Sequence, residues 1–322
     1  MRFGSSAPSA PFTPSAPSMK NPKAAIFGNV TLDIICQTVN DVPRHESISF
    51  ERVQVSPGGC ASNVALGLAH LGVDVALIAR LGDGPTAALL HAYWHEAGID
   101  LTHLKVVEGD STGVSVGLVD SALQPRFVHT PGANTHLTVD SLPVDNLIGR
   151  GIRSLHVAGY FVLPGLLTPH FAEPLARVQS AGITTSLDVV TSPAMDDPSP
   201  LWPCLPFIDY FLCNRHEAGR ITGENDPYAA AQTLRQKGAN TVIVKLGANG
   251  CWVENASHAE HIPASQVKNV VDTTGAGDAF AAGLISALLH GEDLPSACQA
   301  GNRAGAKVVQ TLGAVEAWKR LE

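Results

Sequence analysis

The sequence predicts an α/β fold: a three-layer α/β/α sandwich with a mainly parallel central sheet, plus a small β-sheet set apart from it. Three observations predict this. Short apolar runs alternate with longer helical stretches through the second half of the chain, a pattern that lays parallel strands under helices on both faces. Two β-rich stretches, about 39–56 and 108–131, interrupt the first half with weaker alternation and turn residues, which suits a separate, exposed sheet. Near the end, Val270-Val271-Asp272-Thr273-Thr274-Gly275-Ala276-Gly277-Asp278-Ala279-Phe280 runs from extended chain through a glycine turn into a helix. Ligands of such a sheet bind outside the carboxyl ends of its strands. Asp33, Asn214 and the Gly275 turn would all lie there.

Composition bounds the partners. The 322 residues carry a net charge of −8 with no run of Lys or Arg, so neither nucleic acid nor an anionic membrane surface is expected. No apolar run reaches about 18 residues, and no membrane span is predicted. The six cysteines show no C-x-x-C and no Cys/His metal spacing, which reads as reduced thiols in a cytoplasmic setting. His91 and His95 share an i, i+4 spacing without a third ligand and suit a surface pair.

Taken in order, residues 1–22 are rich in Ser, Pro and Ala, cannot bury enough surface to offset ordering, and predict a disordered tail ahead of a domain over 23–322. Met19 is a candidate true start. A strand over 24–28 ends at Gly28, and Asp33 then falls inside an apolar stretch, where a carboxylate needs a partner or a ligand. Gly58-Gly59 lead into a helix carrying Leu66, Leu68 and Leu71 and stopped by Gly72. A strand over 73–81 and a helix over 85–97 follow, then a hairpin of 112–119 and 126–130. The second half gives strands over 155–158, 183–190, 207–213 and 241–246, with helices over 166–181 and 226–237. Asn249-Gly250 predicts a hairpin turn into 251–253, and helices over 277–290 and 294–311 finish the chain.

The glycine turn carries the chemistry. A helix N-terminus presents unsatisfied N–H groups and the positive end of the dipole, and glycines let a phosphate approach the backbone. Asp278 in the same turn has two readings. It complements the helix dipole, or it takes a proton from a hydroxyl that attacks the phosphate. The stretch is no dinucleotide fingerprint, because Phe280 stands where the third glycine would fall, and the chain holds no G-x-x-x-x-G-K-[ST] loop. Asn214 followed by Glu217 is a capping box by spacing.

The string D-T-T-G-A-G-D-A-F closely resembles the C-terminal signature of the ribokinase-like (PfkB) carbohydrate kinases. Further motifs stand in family order, so that the resemblance covers nearly all of 24–314. It implies an ATP-dependent sugar kinase in which Asp278 is the catalytic base and the Gly275-Ala276-Gly277 turn stabilises the transferred phosphoryl group. Asp33, Gly58, Gly59 and Asn63 match substrate-binding positions, and Asn134 in G-A-N matches another. His156-Val157-Ala158-Gly159-Tyr160 is similar to a substrate-side strand end. Asn214 and Glu217 match N-x-x-E, which places Mg²⁺ and phosphate, with Glu217 acting through water. Lys245, Gly247 and Gly250 match the hairpin beside the nucleotide, Thr273 belongs to the phosphate turn, and Asn302 and Ala306 match positions against the adenine. Asp272, Thr274 and Gly313 match a monovalent cation loop, implying K⁺ as it does in many members. The small sheet is then a lid over the sugar, and many members pair such lids into a homodimer. The acceptor stays open among ribose-, fructose- and keto-deoxy-sugar-like compounds. A nucleoside kinase of the same family and a non-catalytic sugar- or nucleotide-binding protein are the alternatives.

Overall fold

The computed structural model describes residues 24–122, 125–191 and 195–319. The tail expected over 1–22, Met19 included, lies outside the described residues. In chain order the elements are β1 (Ala24–Gly28), β2 (Thr31–Gln37), β3 (Arg52–Gly58), α1 (Cys60–His70), β4 (Val75–Gly82), α2 (Pro85–Glu96), β5 (Asp100–Val107), β6 (Val114–Val119), β7 (Pro125–Thr130) and α3 (Val144–Gly149). There follow β8 (Ser154–Ala158), α4 (Ala172–Ser180), β9 (Thr184–Asp188), β10 (Tyr210–Asn214), α5 (Arg215–Thr222), α6 (Pro227–Gln236), β11 (Thr241–Lys245), β12 (Cys251–Glu254), β13 (Ala259–Ile262), α7 (Ala276–Leu289) and α8 (Leu294–Val308).

Two sheets result. The larger has the order β13-β12-β11-β10-β9-β8-β1-β4-β5, parallel from β11 through β5 and antiparallel only at β12 and β13. Apolar side chains of α1, α2, α7 and α8 form a core on one of its faces, and those of α3, α4, α5 and α6 form another on the other. This is the predicted three-layer arrangement. The smaller sheet has the order β3-β2-β6-β7.

Helix α7, which brings Asp278 to its place, is set by close contacts with its neighbouring helices. A Cβ at Gly283 would stand 2.7 Å from the Ala300 carbonyl oxygen, and one at Gly67 would stand 2.8 Å from Ala282 Cβ. Only glycine lets α1 and α8 approach α7 this closely.

Several boundaries differ from those the pattern predicts. The apolar stretch holding Asp33, residues 31–37, is a strand of the small sheet, and of the β-rich stretch expected over 39–56 only Arg52–Gly58 pairs, 39–51 being a strand-free connection. An apolar run reports burial but not which sheet receives it. The helix expected over 166–181 starts at Ala172, behind short 3-10 turns. Pro169 has no N–H to continue a helix and holds Thr168 extended (φ −144°, ψ 144°). Asn249-Gly250 is not a two-residue turn, because β11 and β12 pair Lys245 with Cys251 and leave five residues, 246–250, between them. Val270 and Val271 form no strand; they are exposed, and the Val271 N–H donates to the Val309 carbonyl at 2.8 Å.

Candidate active site

The chain reaches the head of α7 through Gly275, whose φ of 75° and ψ of 0° are left-handed, and a Cβ there would stand 2.4 Å from Ala314 Cβ. Glycine is required on both counts. The Ala276 N–H donates to the Thr273 carbonyl at 3.2 Å, so that donor of the turn is already committed. Helix geometry leaves the Gly277 N–H without an intrahelical acceptor. Lys245, at the end of β11, brings its ammonium over this turn: a Cβ on Gly277 would lie 2.9 Å from Nζ. A helix N-terminus and an ammonium on one spot make an anion site.

Asp278 stands in the first turn, half-buried, and its Oδ2 accepts a 2.7 Å hydrogen bond from Asn63 Nδ2 on α1. Burial and the nearby Asp188 push its carboxyl up to about 7, against the pull of Asn63, Lys245 and the Cys60 thiol. A carboxylate poised there is neither inert nor permanently charged, which suits a general base at neutral pH. Burial raises the Cys60 thiol well above its ordinary value, as do the charges of Asp278 and Asp188.

Glu217 and Asn214 form the capping box expected from their spacing. Asn214 Oδ1 accepts the Glu217 N–H at 2.9 Å, and Glu217 Oε2 accepts the Asn214 N–H at 2.7 Å. Burial raises the Glu217 carboxyl, while Lys245 and the Asn214 N–H draw it down. Burial works against the Lys245 charge, yet Glu217, Asp188 and Asp278 outweigh it and hold the ammonium above its ordinary value. One cation therefore faces three carboxyl groups, an excess of negative charge that a divalent cation would offset.

The acceptor-side residues divide. Asp33 on β2 is buried, accepts from Thr31 Oγ1 at 2.7 Å, and is pushed up to about 6 by burial and by Asp272, against Thr31. Gly58 makes its room: a Cβ there would fall 2.0 Å from Asp33 Cγ. Gly59 has φ 82°, and a Cβ on it would stand 2.7 Å from the Asn29 carbonyl oxygen. Asn63 leaves its buried Oδ1 without a partner, the state of an acceptor awaiting a donor. Asn134 differs. Its Oδ1 accepts the Val30 N–H at 2.9 Å, and its Nδ2 donates to the Val30 and Pro131 carbonyls at 2.8 Å each. That amide is committed to backbone.

The structure also gathers Asp272, Thr274 and Gly313. Asp272 Oδ1 accepts from the Thr274 N–H (2.9 Å) and hydroxyl (2.7 Å), and its Oδ2 accepts the Gly313 N–H at 2.9 Å. Gly250 (φ 87°) is forced, since a Cβ would meet the Ile262 carbonyl oxygen at 2.1 Å, whereas Gly247 (φ 61°) has open space around it. Asn302 is buried and its Nδ2 donates to the Pro263 carbonyl at 3.1 Å, tying α8 to the loop after β13. Ala306 lies one turn further along α8, half-buried, and Thr273 is exposed.

Asp188 joins this site without any local motif announcing it, and His156, which opens the stretch similar to a substrate-side strand end, joins it from the neighbouring strand. They meet only because parallel register sets His156 beside Ser186, two residues before Asp188. Two cavities, of about 290 and 340 Å³, lie elsewhere, one at β12, β13 and the start of α8, the other at the amino ends of β8 and β9. Among the described residues no cluster of three His, Cys, Asp or Glu could hold a metal by itself, no helix is long and apolar enough to cross a membrane, and the six cysteines are free.

Comparison with known proteins follows this geometry. Residues 21–320 match the model of the pfkB family carbohydrate kinases. The chain is 27% identical over 296 residues to ribokinase of Haemophilus influenzae, covering 90% of this chain and 92% of that protein. It is 29% identical to 2-dehydro-3-deoxygluconokinase of Bacillus subtilis, covering 84% of each. Among solved structures, Arabidopsis thaliana ribokinase complexed with ribose and ATP aligns with a TM-score of 0.78 at 25% identity, over 92% of this chain and 95% of that one.

Proposed function

The chain belongs to the pfkB family of carbohydrate kinases, phosphotransferases with an alcohol group as acceptor, and from that premise we propose that it moves the γ-phosphoryl group of ATP to a primary hydroxyl of a small sugar. The acceptor is ribose-, fructose- or keto-deoxy-sugar-like. One observation carries the reading: Asp278 at the head of α7, held by Asn63 and pushed up to about 7.

Asp278 takes the proton of the attacking hydroxyl, and Asn63 orients the carboxylate that takes it. Asp33 on β2 accepts hydrogen bonds from other hydroxyls of the sugar. The first-turn N–H of Gly277 and the Lys245 ammonium meet charge on the transferred group. The glycine turns at Gly247 and Gly250, with α8 around Asn302 and Ala306, border the nucleotide. Mg²⁺, when bound with ATP, neutralises charge on the β- and γ-phosphates. Glu217 would hold it through water, and the excess of carboxylates around Lys245 fits such a cation. Asp272, Thr274 and Gly313 would hold K⁺. The small sheet acts as a lid that excludes water from the reacting phosphate, and its exposed strands pair two copies into a dimer. The free cysteines suit a cytoplasmic setting.

The test is ADP release from MgATP across ketoses, aldoses and nucleosides, with and without K⁺. Turnover with one sugar well above the ATP-only rate is expected. Turnover confined to nucleosides would replace the acceptor class. Saturable sugar binding with no turnover by any compound would leave a binding protein.

A further inference from the structure

His156 lies fully inside the molecule, and each ring nitrogen has a neighbour on β9. Nδ1 is 2.8 Å from Ser186 Oγ, whereas Nε2 lies 3.4 Å from Asp188 Oδ2, within ion-pair distance but with no hydrogen-bond partner. Asp188 is equally buried, and its Oδ1 accepts the Gly159 N–H at 2.6 Å. Gly159, left-handed at φ 74°, lies beside Asn29, whose buried Oδ1 has no hydrogen-bond partner: a Cβ on Gly159 would stand 2.4 Å from it. The Asn29 carbonyl in turn accepts the Ala61 N–H at 3.1 Å, in the first turn of α1. Two residues on is Asn63, the donor to Asp278. A series of close neighbours, hydrogen-bonded at Asp188–Gly159, Asn29–Ala61 and Asn63–Asp278, thus runs from the middle of the large sheet to the candidate base.

We infer that His156 is a positioning residue of the phosphoryl-transfer site, acting through Asp188 on the Gly159 turn, the head of α1 and Asp278. The inference rests on the assignment of Asp278 as base. Asp188 can stay ionised in this interior only with donors or cations beside it; the Gly159 N–H and Lys245 are two, and the His156 ring, 3.4 Å away through Nε2, is the third. Asp188 is faced by His156 from β8, Lys245 from β11, Glu217 from α5 and Asp278 from α7. Asp278 is faced by Asp188, by Lys245, and by Cys60 and Asn63 from α1. Losing the His156 ring takes away one of these three neighbours and eases protonation of Asp188, which reduces the negative charge near Asp278 and slackens the Gly159 turn.

The experiment compares kcat and the pH profile of kcat/KM for wild type, His156→Leu and His156→Gln, using the best acceptor found with MgATP, and thermal melts confirm folding. His156→Leu is expected to lose about 10- to 100-fold in kcat, the scale of a small misplacement of reacting groups, and to move the acid limb to lower pH. His156→Gln, which keeps a donor, recovers most of both. Should His156→Leu not fold, Asp188→Asn reads the same limb, expected at lower pH. A folded His156→Leu, or failing that Asp188→Asn, with wild-type kcat and an unmoved acid limb overturns the inference. If that happens while Asp278→Asn is inactive, the base assignment stands and only the role of His156 falls. If Asp278→Asn turns over like wild type, the base assignment itself falls.

Discussion

The two sheets divide the candidate site between them. In the large sheet, β1, β4 and β8 are buried along their whole length, covered by helices on both faces, and their carboxyl ends are fixed to within the tolerance of a packed core. Asp188, Asn214 and Lys245 stand at such ends, and the head of α7 meets them. In the small sheet, Val53 is 55% and Val128 64% exposed, and residues 126–130 are exposed throughout. That sheet carries Asp33. The candidate base and the candidate sugar contact therefore stand on different sheets, one covered on both faces and the other partly exposed.

The sharpest way to break this division is at Asp278. Asp278→Asn is expected to fold and to lose about 10²- to 10⁴-fold in kcat, the range of a general base, with little change in the KM of the sugar. Steady-state kinetics on both variants checks it. The pH dependence has a definite sign. Below about 7 the wild-type carboxylate takes a proton, so kcat/KM falls on the acid side. Because the folded value is raised, the group's favourable contribution to folding is present at low pH and lost as pH rises through about 7. Asp278→Asn should therefore melt higher than wild type at pH 8, and the gain should shrink towards pH 4. Equal melting of the two at pH 8 would contradict the buried charge.

Removing core from the large sheet tests its rigidity directly. Phe211 on β10 is fully buried, three residues before Asn214. Phe211→Ala should cost about 3–5 kcal/mol of stability by denaturant unfolding. Asp33→Ala should leave stability and kcat near wild type and raise the KM of the sugar about 10- to 100-fold, as loss of a hydrogen bond to a charged group does. If Asp33→Ala lowered kcat as much as Asp278→Asn, the division of labour between the sheets would fail.

The difference between the sheets also governs what the sequence discloses. The glycine turn, Asp278, and the Asn214/Glu217 box are contiguous in the chain, so local spacing contains their geometry, and both structure and spacing agree on the box. Strand alternation likewise disclosed the layers of the large sheet. Which sheet receives residues 31–37 was not legible, because apolar alternation is the same in either. The commitment of the Asn134 amide to Val30 and Pro131 depends on how a loop folds back across 104 positions, and no pattern near Asn134 encodes that. His156 and Asp188 are separated by 32 positions and meet through parallel register; each alone looks like an ordinary polar residue in an apolar strand.

The smallest expected change in stability is also the one that separates the two roles of the small sheet. In register, Ile34, Val55, Val116 and Val128 fall on one side of it, and Asp33, Ser56, Ser115 and His129 on the other. The first side is apolar with exposed valines; the second includes the candidate sugar contact. If the valine side pairs two copies while the other faces the ligand, Val128→Lys should cost less than about 0.5 kcal/mol in the folded monomer, as exposed substitutions do. It should nonetheless halve the mass seen by light scattering, because a charge opposite its symmetry mate desolvates on pairing. Sugar KM would then report whether pairing steadies the cover. An unchanged monomeric mass in both proteins would mean that the valine side pairs with no second copy, and the small sheet would keep only its ligand-facing role.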